Sequence, residues 1–507
     1  MISKNVMRKY TEIILLFLVS FFISCNTEIK DYTEIARIPS IFPDYTNILI
    51  PPNIAPLNFK INEPGSKYVA RIYISDNESI VVNSNDPNIK INNKAWHKLL
   101  DKGKGKRYQI EIFVKSDKGT WQKFKTIVNK IADKKIDSHL AYRLINTGYV
   151  QWNDLGIYQR NLENFDEKPI LENKSIGYGC INCHSFANNN PEKMMIHIRK
   201  NHGGTIISKD NGKLQKVNTN TPYTLNAGAY PSWHPNGKHI AYSVNNIGQY
   251  FCTGETRIEV TDSYSDLIVY DVENNQVITS PKVSTKDREN LPIWSPDGKF
   301  IYFIKARPEN PNNKIDVKYD LMRIGFDVNT NSWGNVDTLL LSRQIRKSIS
   351  FPKISPDGKF LMFCASDNGY FTIHHPQTDL NILEIKSGKI KRLNINSPET
   401  DSYHSFSSTG NWFVFSSKRM DGLFTRPYFS YLYENGVASK PFVLPQEDPA
   451  FYESFIKNYN IPELITGEVP YSQIEIRDKI LEDPIPAKIH ESVDTTFLKR
   501  HLQAIRN

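Results

Sequence analysis

One unit recurs along the second half of this chain, and it limits the folds that the chain can adopt. Each copy is an apolar strand, a tight turn of the Pro-Asp-Gly type and a second strand in which apolar and polar residues alternate. Proline presets one φ angle of such a turn and glycine accepts a positive φ, so each turn joins two adjacent strands. The copies lie at residues 230–243, 291–303, 351–363 and, in a weaker form, 403–416.

The spacing of these copies predicts their arrangement in space. They begin about 50 to 60 residues apart, and a further strand follows each of the three clear copies, at 266–271, 320–324 and 379–383. Small antiparallel sheets that recur at this period indicate the blades of a β-propeller. We therefore predict an all-β chain with a propeller of about six blades over residues 140–470, in which residues 142–158 and 442–469 complete the ring. Five or seven blades are the alternatives.

The repeated unit resembles that of a known family. Residues 294–303 and 354–363 follow the pattern Trp/Ile-Ser-Pro-Asp-Gly-Lys-x-Ile/Leu-x-Phe, which is similar to the hallmark of the TolB-type, WD-repeat-like propellers. The resemblance covers about 300 residues. It implies the propeller fold and contacts with proteins of the cell envelope, and it says little more about function because one fold serves many activities.

The N-terminal part of the chain predicts export and a separate domain. Lys4, Arg8 and Lys9 precede an apolar run at 13–23, which is too short to be a permanent membrane span and closes on Ser24-Cys25. We expect a signal peptide at 1–24, a lipid anchor on Cys25 and a tether at 25–41; an ordinary secretory signal with an incidental cysteine is the alternative. Alternating strands then predict an immunoglobulin-like β-sandwich at 42–135.

Composition narrows the partners. The formal charge of +9 is spread along the chain, and the longest basic block is the short run at 102–107. We expect the chain to be exported to the periplasmic side of the cell envelope and anchored at the outer membrane. This location and the dispersed charge exclude nucleic acid as a partner and favour an envelope protein or redox partner. The five cysteines are too few for a disulfide framework in a chain of 507 residues. The oligomeric state is left open.

The sharpest chemical signal is the Cys-x-x-Cys-His motif formed by Cys180, Cys183 and His184. Two thiols at this spacing can add to both vinyl groups of one haem, and the next histidine can be the proximal iron ligand. In these five positions the chain resembles the c-type cytochromes, which implies covalently attached haem c. A disulfide between Cys180 and Cys183 is the main alternative, and a zinc site is a weaker one because no second Cys/His pair has suitable spacing.

The second iron ligand is predicted from the residues that follow the motif. Pro191 suits the first turn of a helix, so we expect a short helix at 191–200, within a haem-binding insertion at 163–215. Such a helix places Met194 and His197 on one face and Met195 elsewhere. His197, Met194 and Met195 are therefore the candidate second ligands, with an open or water-filled position as the alternative.

Three function classes follow from these motifs. The first is a monohaem electron-transfer or redox-linked lipoprotein. The second is a propeller scaffold that binds envelope proteins or glycans, in which haem or a disulfide is only structural. The third is an oxidoreductase, which ranks last because we assign no catalytic residues; neither a Gly-x-Ser-x-Gly elbow nor a phosphate-binding loop occurs. The tail at 471–507 is expected to contain a helix at 494–505.

Overall fold

The computed structural model describes residues 29–147, 153–251, 258–307 and 316–506. Almost all of its regular structure is strand, and seven sheets account for the strands described. The all-β prediction is therefore confirmed.

The N-terminal region contains a mixed sheet, a small second sheet and one helix. Its elements are β1 (Tyr32–Ile35), β2 (Ile41–Phe42), β3 (Leu49–Ile50), β4 (Phe59–Ile61), β5 (Lys67–Ser75), β6 (Glu78–Ser84), β7 (Asn88–Ile89), α1 (Asn93–Lys102), β8 (Arg107–Lys115), β9 (Trp121–Phe124) and β10 (Ile127–Ile131). The larger sheet contains two parallel pairs, β1 with β9 and β3 with β10, and β2, β4 and β7 form the second sheet. The immunoglobulin-like assignment of this region stays a prediction.

Six blades of antiparallel strands follow, and a single parallel pairing of β20 with β22 joins blades 3 and 4 in one nine-stranded sheet. Blades 1 and 2 use β11 (His139–Ile145), β12 (Leu155–Asn161), β13 (Glu167–Glu172), β14 (Cys180–Phe186), β15 (Met194–Arg199), β16 (Gly204–Ser208) and β17 (Leu214–Asn218). Blades 3 and 4 use β18 (Ala229–Trp233), β19 (His239–Phe251), β20 (Ile258–Asp271), β21 (Gln276–Ile278), β22 (Arg288–Trp294), β23 (Phe300–Ala306), β24 (Asp320–Asp327), β25 (Ser332–Leu340) and the short α2 (Ser342–Ile345). Blades 5 and 6 use β26 (Ser348–Ile354), β27 (Phe360–Ser366), β28 (Asp379–Glu384), β29 (Lys389–Arg392), β30 (Asp401–Phe406), β31 (Trp412–Ser417), β32 (Arg426–Tyr431) and β33 (Phe442–Val443).

The C-terminal part closes the ring and then runs along its outside. Its elements are α3 (Phe451–Ser454), β34 (Asn458–Ile465), α4 (Gln473–Leu481), β35 (Ile485–Pro486), β36 (Lys488–Ile489) and α5 (Thr495–Arg506). Strand β34 pairs with β11, so the inner strand of blade 1 comes from the other end of the propeller. Strands β35 and β36 extend blades 2 and 3 at their outer edges. The predicted C-terminal helix is confirmed as α5.

The repeated sequence unit forms the two inner strands of a blade. In blades 3 to 6 it supplies the first strand, the turn and the second strand. The glycines of these turns, Gly237, Gly298, Gly358 and Gly410, have φ between 67° and 74°, a conformation that other residues adopt only with strain.

The helix expected at 191–200 is wrong, and so is the helical character of the insertion at 163–215. This segment contributes the strands of blade 2, with β14 paired to β15 and β15 paired to β16. Met194 and Ile196 pack into one core and Met195 into another. Side chains that alternate between two cores with a period of two, together with β-branched Ile196 and Ile198, favour a strand over the local helix signals at Pro191.

Hydrophobic packing joins the N-terminal region to the propeller. One continuous core contains residues of both, including Trp96 of α1 and Trp412 of β31. Trp412 also donates its indole N–H to the carbonyl of Lys134 at 2.9 Å. Within the described ranges, no helix is long and apolar enough to cross a membrane.

Candidate functional site

A cavity of about 720 Å³ lies between the inner strands of all six blades. Its walls come from the N-terminal halves of β14, β18, β22, β26, β30 and β34, and from the loops at the same end of the ring. We call this cavity the central funnel. Its volume falls in the range of about 300–1,000 Å³ that is typical of cofactor and small-molecule sites.

The inner strands of five blades share a bulge that turns a large side chain into the funnel. Each bulge is seen as a shift of register between the inner strand and its neighbour. The residue at the bulge has φ between 45° and 50°, an uncommon conformation for a residue with a side chain. These five residues all line the funnel: Tyr230, Leu291, Phe351, Tyr403 and Ile461.

Blade 2 carries the Cys-x-x-Cys-His motif at the corresponding place. In blades 3 to 6 the bulge residue lies three positions before the last residue of the inner strand, as Tyr230 lies three before Trp233. In β14 the matching end residue is Phe186, which pairs with Met194. Cys183 therefore takes the place of the bulge residue of the other blades and His184 the next place, although the unpaired extra residue of β14 is Asn182. The motif therefore replaces one of six bulky positions around the funnel.

The register of β14 places the two cysteine positions of the motif on the same face of the sheet. Cys180 pairs with Arg199 and Cys183 with His197, with Asn182 as the extra residue between them. Positions 197 and 199 of β15 share one face of the sheet because side chains alternate along a strand. The bulge thus gives positions 180 and 183 a common face, which a regular strand would not do.

His184 and Cys180 are the motif side chains that line the funnel. Cys180 is a free, buried thiol. His184 is only 3% exposed, and neither of its ring nitrogens has a well-formed hydrogen bond to a described residue. Burial lowers the pKa of His184 to about 3, Arg143 and Lys353 add to this effect, and a backbone group of Ile461 opposes it. A neutral imidazole with unpartnered nitrogens can bind a metal.

Two side chains of blade 1 hold the motif in place. Arg143 on β11 donates one N–H group to the carbonyl of Ile181 at 3.2 Å and to that of Asn182. Glu463 on β34 accepts a hydrogen bond from the backbone N–H of Phe186 at 3.1 Å. Burial raises the pKa of Glu463 to about 7, against the effects of Lys353 and the Phe186 N–H.

The funnel is lined by more cations than anions. Glu463 is the one carboxylate among the described lining residues. The basic lining residues are Arg143, Arg199, Lys200, Lys353 and Lys418. An unbalanced basic cavity attracts anionic ligands because the low-dielectric walls focus its field.

The predicted second ligands do not lie with His184. Met194 and Met195 are fully buried on opposite faces of β15, in two separate cores. His197 is also buried, and its Nδ1 contacts the hydroxyl of Thr205 at 2.9 Å. Of the described side chains that line the funnel, none belongs to these three residues.

Two other histidines line the funnel, and the sequence analysis did not select them. His404 follows the bulge of blade 6, the position that His184 takes in blade 2. Its Nε2 contacts the carbonyl of Met362 at 3.0 Å. His374 lies in a 3-10 turn and stacks on Phe371 with ring centroids 6.3 Å apart. An alignment of all six blades from the ends of their inner strands would have revealed His404.

The remaining cysteines lie elsewhere. Cys364 is a free, buried thiol, and burial raises its pKa to about 11. Cys25 and Cys252 lie outside the described residues. No group of three or more His, Cys, Asp or Glu side chains suited to a metal ion occurs in the part of the chain that the structure describes.

No protein-family model matches the chain, and no curated protein matches it. Solved propellers do align with it at low identity. The β-propeller domain of Cps50 (Swd1) from Myceliophteria thermophila is 10% identical, with a TM-score of 0.31 over 50% of this chain and 66% of that one. The β-propeller domain of the Trilobed protease from Pyrococcus furiosus is 12% identical, with a TM-score of 0.32 over 67% and 82%. A chain of a nidogen–laminin complex is 11% identical, with a TM-score of 0.35 over 64% and 99%.

Proposed function

We propose that this chain is a lipid-anchored β-propeller of the cell envelope that carries one covalent haem c and acts in electron transfer or redox-linked interaction. One observation supports this proposal most directly: Cys180 and His184 line the central funnel, and both ring nitrogens of His184 are buried without a well-formed hydrogen bond to a described residue. A buried, unpartnered imidazole calls for an explanation, and metal binding supplies one.

The residues present fit a haem c. Cys180 and Cys183 would each form a thioether, in which the sulfur bonds to one vinyl carbon and the thiol proton passes to the other. His184 would be an iron ligand, since its lowered pKa keeps the ring neutral at physiological pH. When bound, the haem would supply one-electron oxidation and reduction.

The side chains around the motif would support this role. Arg143 fixes the carbonyls of Ile181 and Asn182, and so holds the bulge that gives the two cysteine positions a common face. The walls of the funnel would limit the access of water to the site. TolB-type membership and the anchor at Cys25 on the periplasmic side, at the outer membrane, belong to the same proposal.

A binding scaffold is the second candidate, and the funnel itself favours it. A deep, basic cavity with aromatic walls suits the capture of a ligand or of a loop of an envelope protein. In that case haem, or a disulfide between Cys180 and Cys183, would only stabilise blade 2.

Expression with a haem c maturation system tests the proposal. We expect a red periplasmic product whose reduced form has an α-band near about 550 nm. The double variant Cys180→Ala/Cys183→Ala should be colourless, whereas Cys364→Ala should keep the band because Cys364 lies outside the motif.

The same material separates the two candidates. Reversible reduction and reoxidation of the band supports electron transfer. A haem that stays in one oxidation state across the accessible potentials would support the scaffold instead. A colourless wild-type protein, with folding confirmed by circular dichroism, would contradict the haem proposal.

A further inference from the structure

Two lysines of blades 5 and 6 line the funnel, and neither ammonium makes a direct ion pair within the described residues. Lys418 follows β31 and is only 9% exposed. Burial lowers its pKa, and the charges of Glu399 and Asp421 oppose this effect without a direct contact. Its backbone is fixed: its N–H donates to Thr400 at 3.1 Å, and its carbonyl accepts from Gly422 at 2.8 Å. A buried ammonium that makes no direct ion pair is only partly compensated, so an anionic ligand that contacts it directly would be stabilised there.

Lys353 on β26 is the second of these lysines. It lines the funnel and is partly buried, and none of the described carboxylates forms an ion pair with it. Its charge acts on His184, His404 and Glu463, which places its ammonium within the electrostatic reach of three inner strands. The charge of Lys418 acts in turn on His374.

Aromatic rings stand beside these lysines. Phe351 and Tyr403 make an edge contact with centroids 4.7 Å apart, and Phe371 contacts Tyr403 at 6.1 Å. Phe424 also lines the funnel. Ring faces and edges of this kind pack well against a flat, conjugated ligand.

We propose that Lys353 and Lys418 bind the carboxylate groups of a flat, conjugated organic anion in the central funnel. Ammonium groups that are partly desolvated make strong, charge-assisted hydrogen bonds to carboxylates. The carboxylates have two possible sources, the propionates of a haem attached at Cys180 and Cys183 or a diffusible aromatic acid. The lysine site does not depend on haem attachment.

Calorimetric titration with benzene-1,3,5-tricarboxylate tests this site, with 1,3,5-benzenetrimethanol as the uncharged probe. We expect the haem-free protein to bind the trianion and not the triol. Lys353→Met and Lys418→Met should each weaken binding of the trianion about 10- to 100-fold, the effect of one charge-assisted hydrogen bond. Lys94→Met removes an exposed charge from α1 and is the matched control.

The haem-loaded protein identifies the source of the carboxylates. Binding of the trianion to both forms supports a diffusible acid, whereas binding to the haem-free form alone supports the propionates. No binding to the haem-free wild type at millimolar concentration, or equal binding by Lys418→Met, would overturn the proposal.

Thermal unfolding without the probe guards against misfolded variants. Lys418→Met should unfold at the same temperature as the wild type or higher, because the cost of burying this ammonium exceeds the effect of the charges of Glu399 and Asp421. A clearly lower unfolding temperature would mean that Lys418 stabilises the fold, and this would also overturn the proposal.

Discussion

At the scale of single residues, the motif of β14 is held by side chains from another blade. Arg143 donates to the carbonyls of Ile181 and Asn182, while Glu463 accepts the N–H of Phe186. Both partners belong to blade 1, whose inner strand comes from the C-terminal part of the chain. The geometry of the motif therefore depends on contacts between blades and not on the local sequence.

Replacement of Arg143 tests this dependence. Arg143→Met removes the Arg143 donor from one buried and one partly buried carbonyl, so we expect the free energy of unfolding to fall by about 2–4 kcal/mol. We also expect less covalent haem per folded protein after coexpression with maturation enzymes. Urea unfolding and haem staining measure the two effects. Arg500→Met, at an exposed position of α5, is the control and should change stability by less than about 0.5 kcal/mol.

Equal haem loading and equal stability of Arg143→Met and wild type would show that the bulge needs no support from blade 1. A loss of stability without a loss of haem would limit Arg143 to a role in folding.

Buried histidines give the haem-free protein a predictable response to acid. Burial lowers the pKa of His404 to about 3, from an ordinary value of 6.5. Between these pH values the unfolded chain binds a proton that the folded chain does not, so His404 disfavours folding as the pH falls. The free energy of unfolding of the wild type should therefore fall as the pH is lowered from 6 to 4. We expect this fall to be smaller in His404→Gln, by up to about 1.4 kcal/mol per pH unit.

Urea unfolding at a series of pH values measures this slope. His202→Gln, at an exposed loop position, is the control and should retain the wild-type slope. An unchanged slope in His404→Gln would mean that His404 titrates alike in the folded and unfolded chain.

At the scale of secondary-structure elements, β15 shows where sequence reasoning failed. Pro191 and the polar residues before it are good signals for a helix start, and the methionines that follow suit a helix as well as a strand. Pairing with β14 and β16 decides in favour of the strand, and such pairing is not visible in a window of ten residues. Tertiary context overrode local preference here.

The blades with a Pro-Asp-Gly turn were predictable because the turn residues, the alternating strands and the repeat spacing all indicate the same structure. Blade 2 lacks this turn, since residues 187–193 replace it, and the repeat was therefore missed there. The motif itself was visible, but its position in the funnel was not. Its position requires the alignment of inner strands from all six blades. The lysines of the funnel carried no sequence signal at all.

The strand assignment predicts that adjacent methionines are both structural. Met194→Ala and Met195→Ala should each lower the free energy of unfolding by about 2–5 kcal/mol, because both side chains are fully buried in separate cores. Urea unfolding measures the loss, with Lys213→Ala at an exposed turn as the control. In haem-loaded protein, neither methionine variant should shift the visible spectrum.

If residues 194 and 195 lay on a surface helix, one of the two methionines would be exposed and could be replaced by alanine with little loss of stability. A cost below about 0.5 kcal/mol for either methionine would therefore contradict the strand. A spectral shift in one variant alone would restore that methionine as an iron ligand.

At the scale of the whole molecule, the ring is closed by noncovalent contacts between its ends. Strand β34 joins β11 in blade 1, and the tail then pairs with β17 and β21. In α5, Leu498 and Leu502 are buried, and His501 contacts the carboxylate of Asp266 at 3.1 Å. The tail thus binds to the outside of blades 2 and 3.

Two truncations separate closure from the tail. A chain that ends at residue 456 lacks β34 and should lose cooperative unfolding, because the inner strand of blade 1 is removed together with the motif partner Glu463. A chain that ends at residue 483 keeps β34 and α4 and should still unfold cooperatively, at a lower temperature. Differential scanning calorimetry distinguishes these results. A cooperative transition in the shorter chain would show that the ring does not need its closing strand.

The most direct test of the account is the intact mass of the exported chain after expression with haem c maturation enzymes. The account predicts a mass about 616 Da above that of the polypeptide, on a peptide that contains Cys180 and Cys183. It also predicts that this mass is absent from the double alanine variant. An exported, folded chain at the mass of the polypeptide alone, or two mass units below it with the two sulfurs joined, would contradict haem attachment in the central funnel.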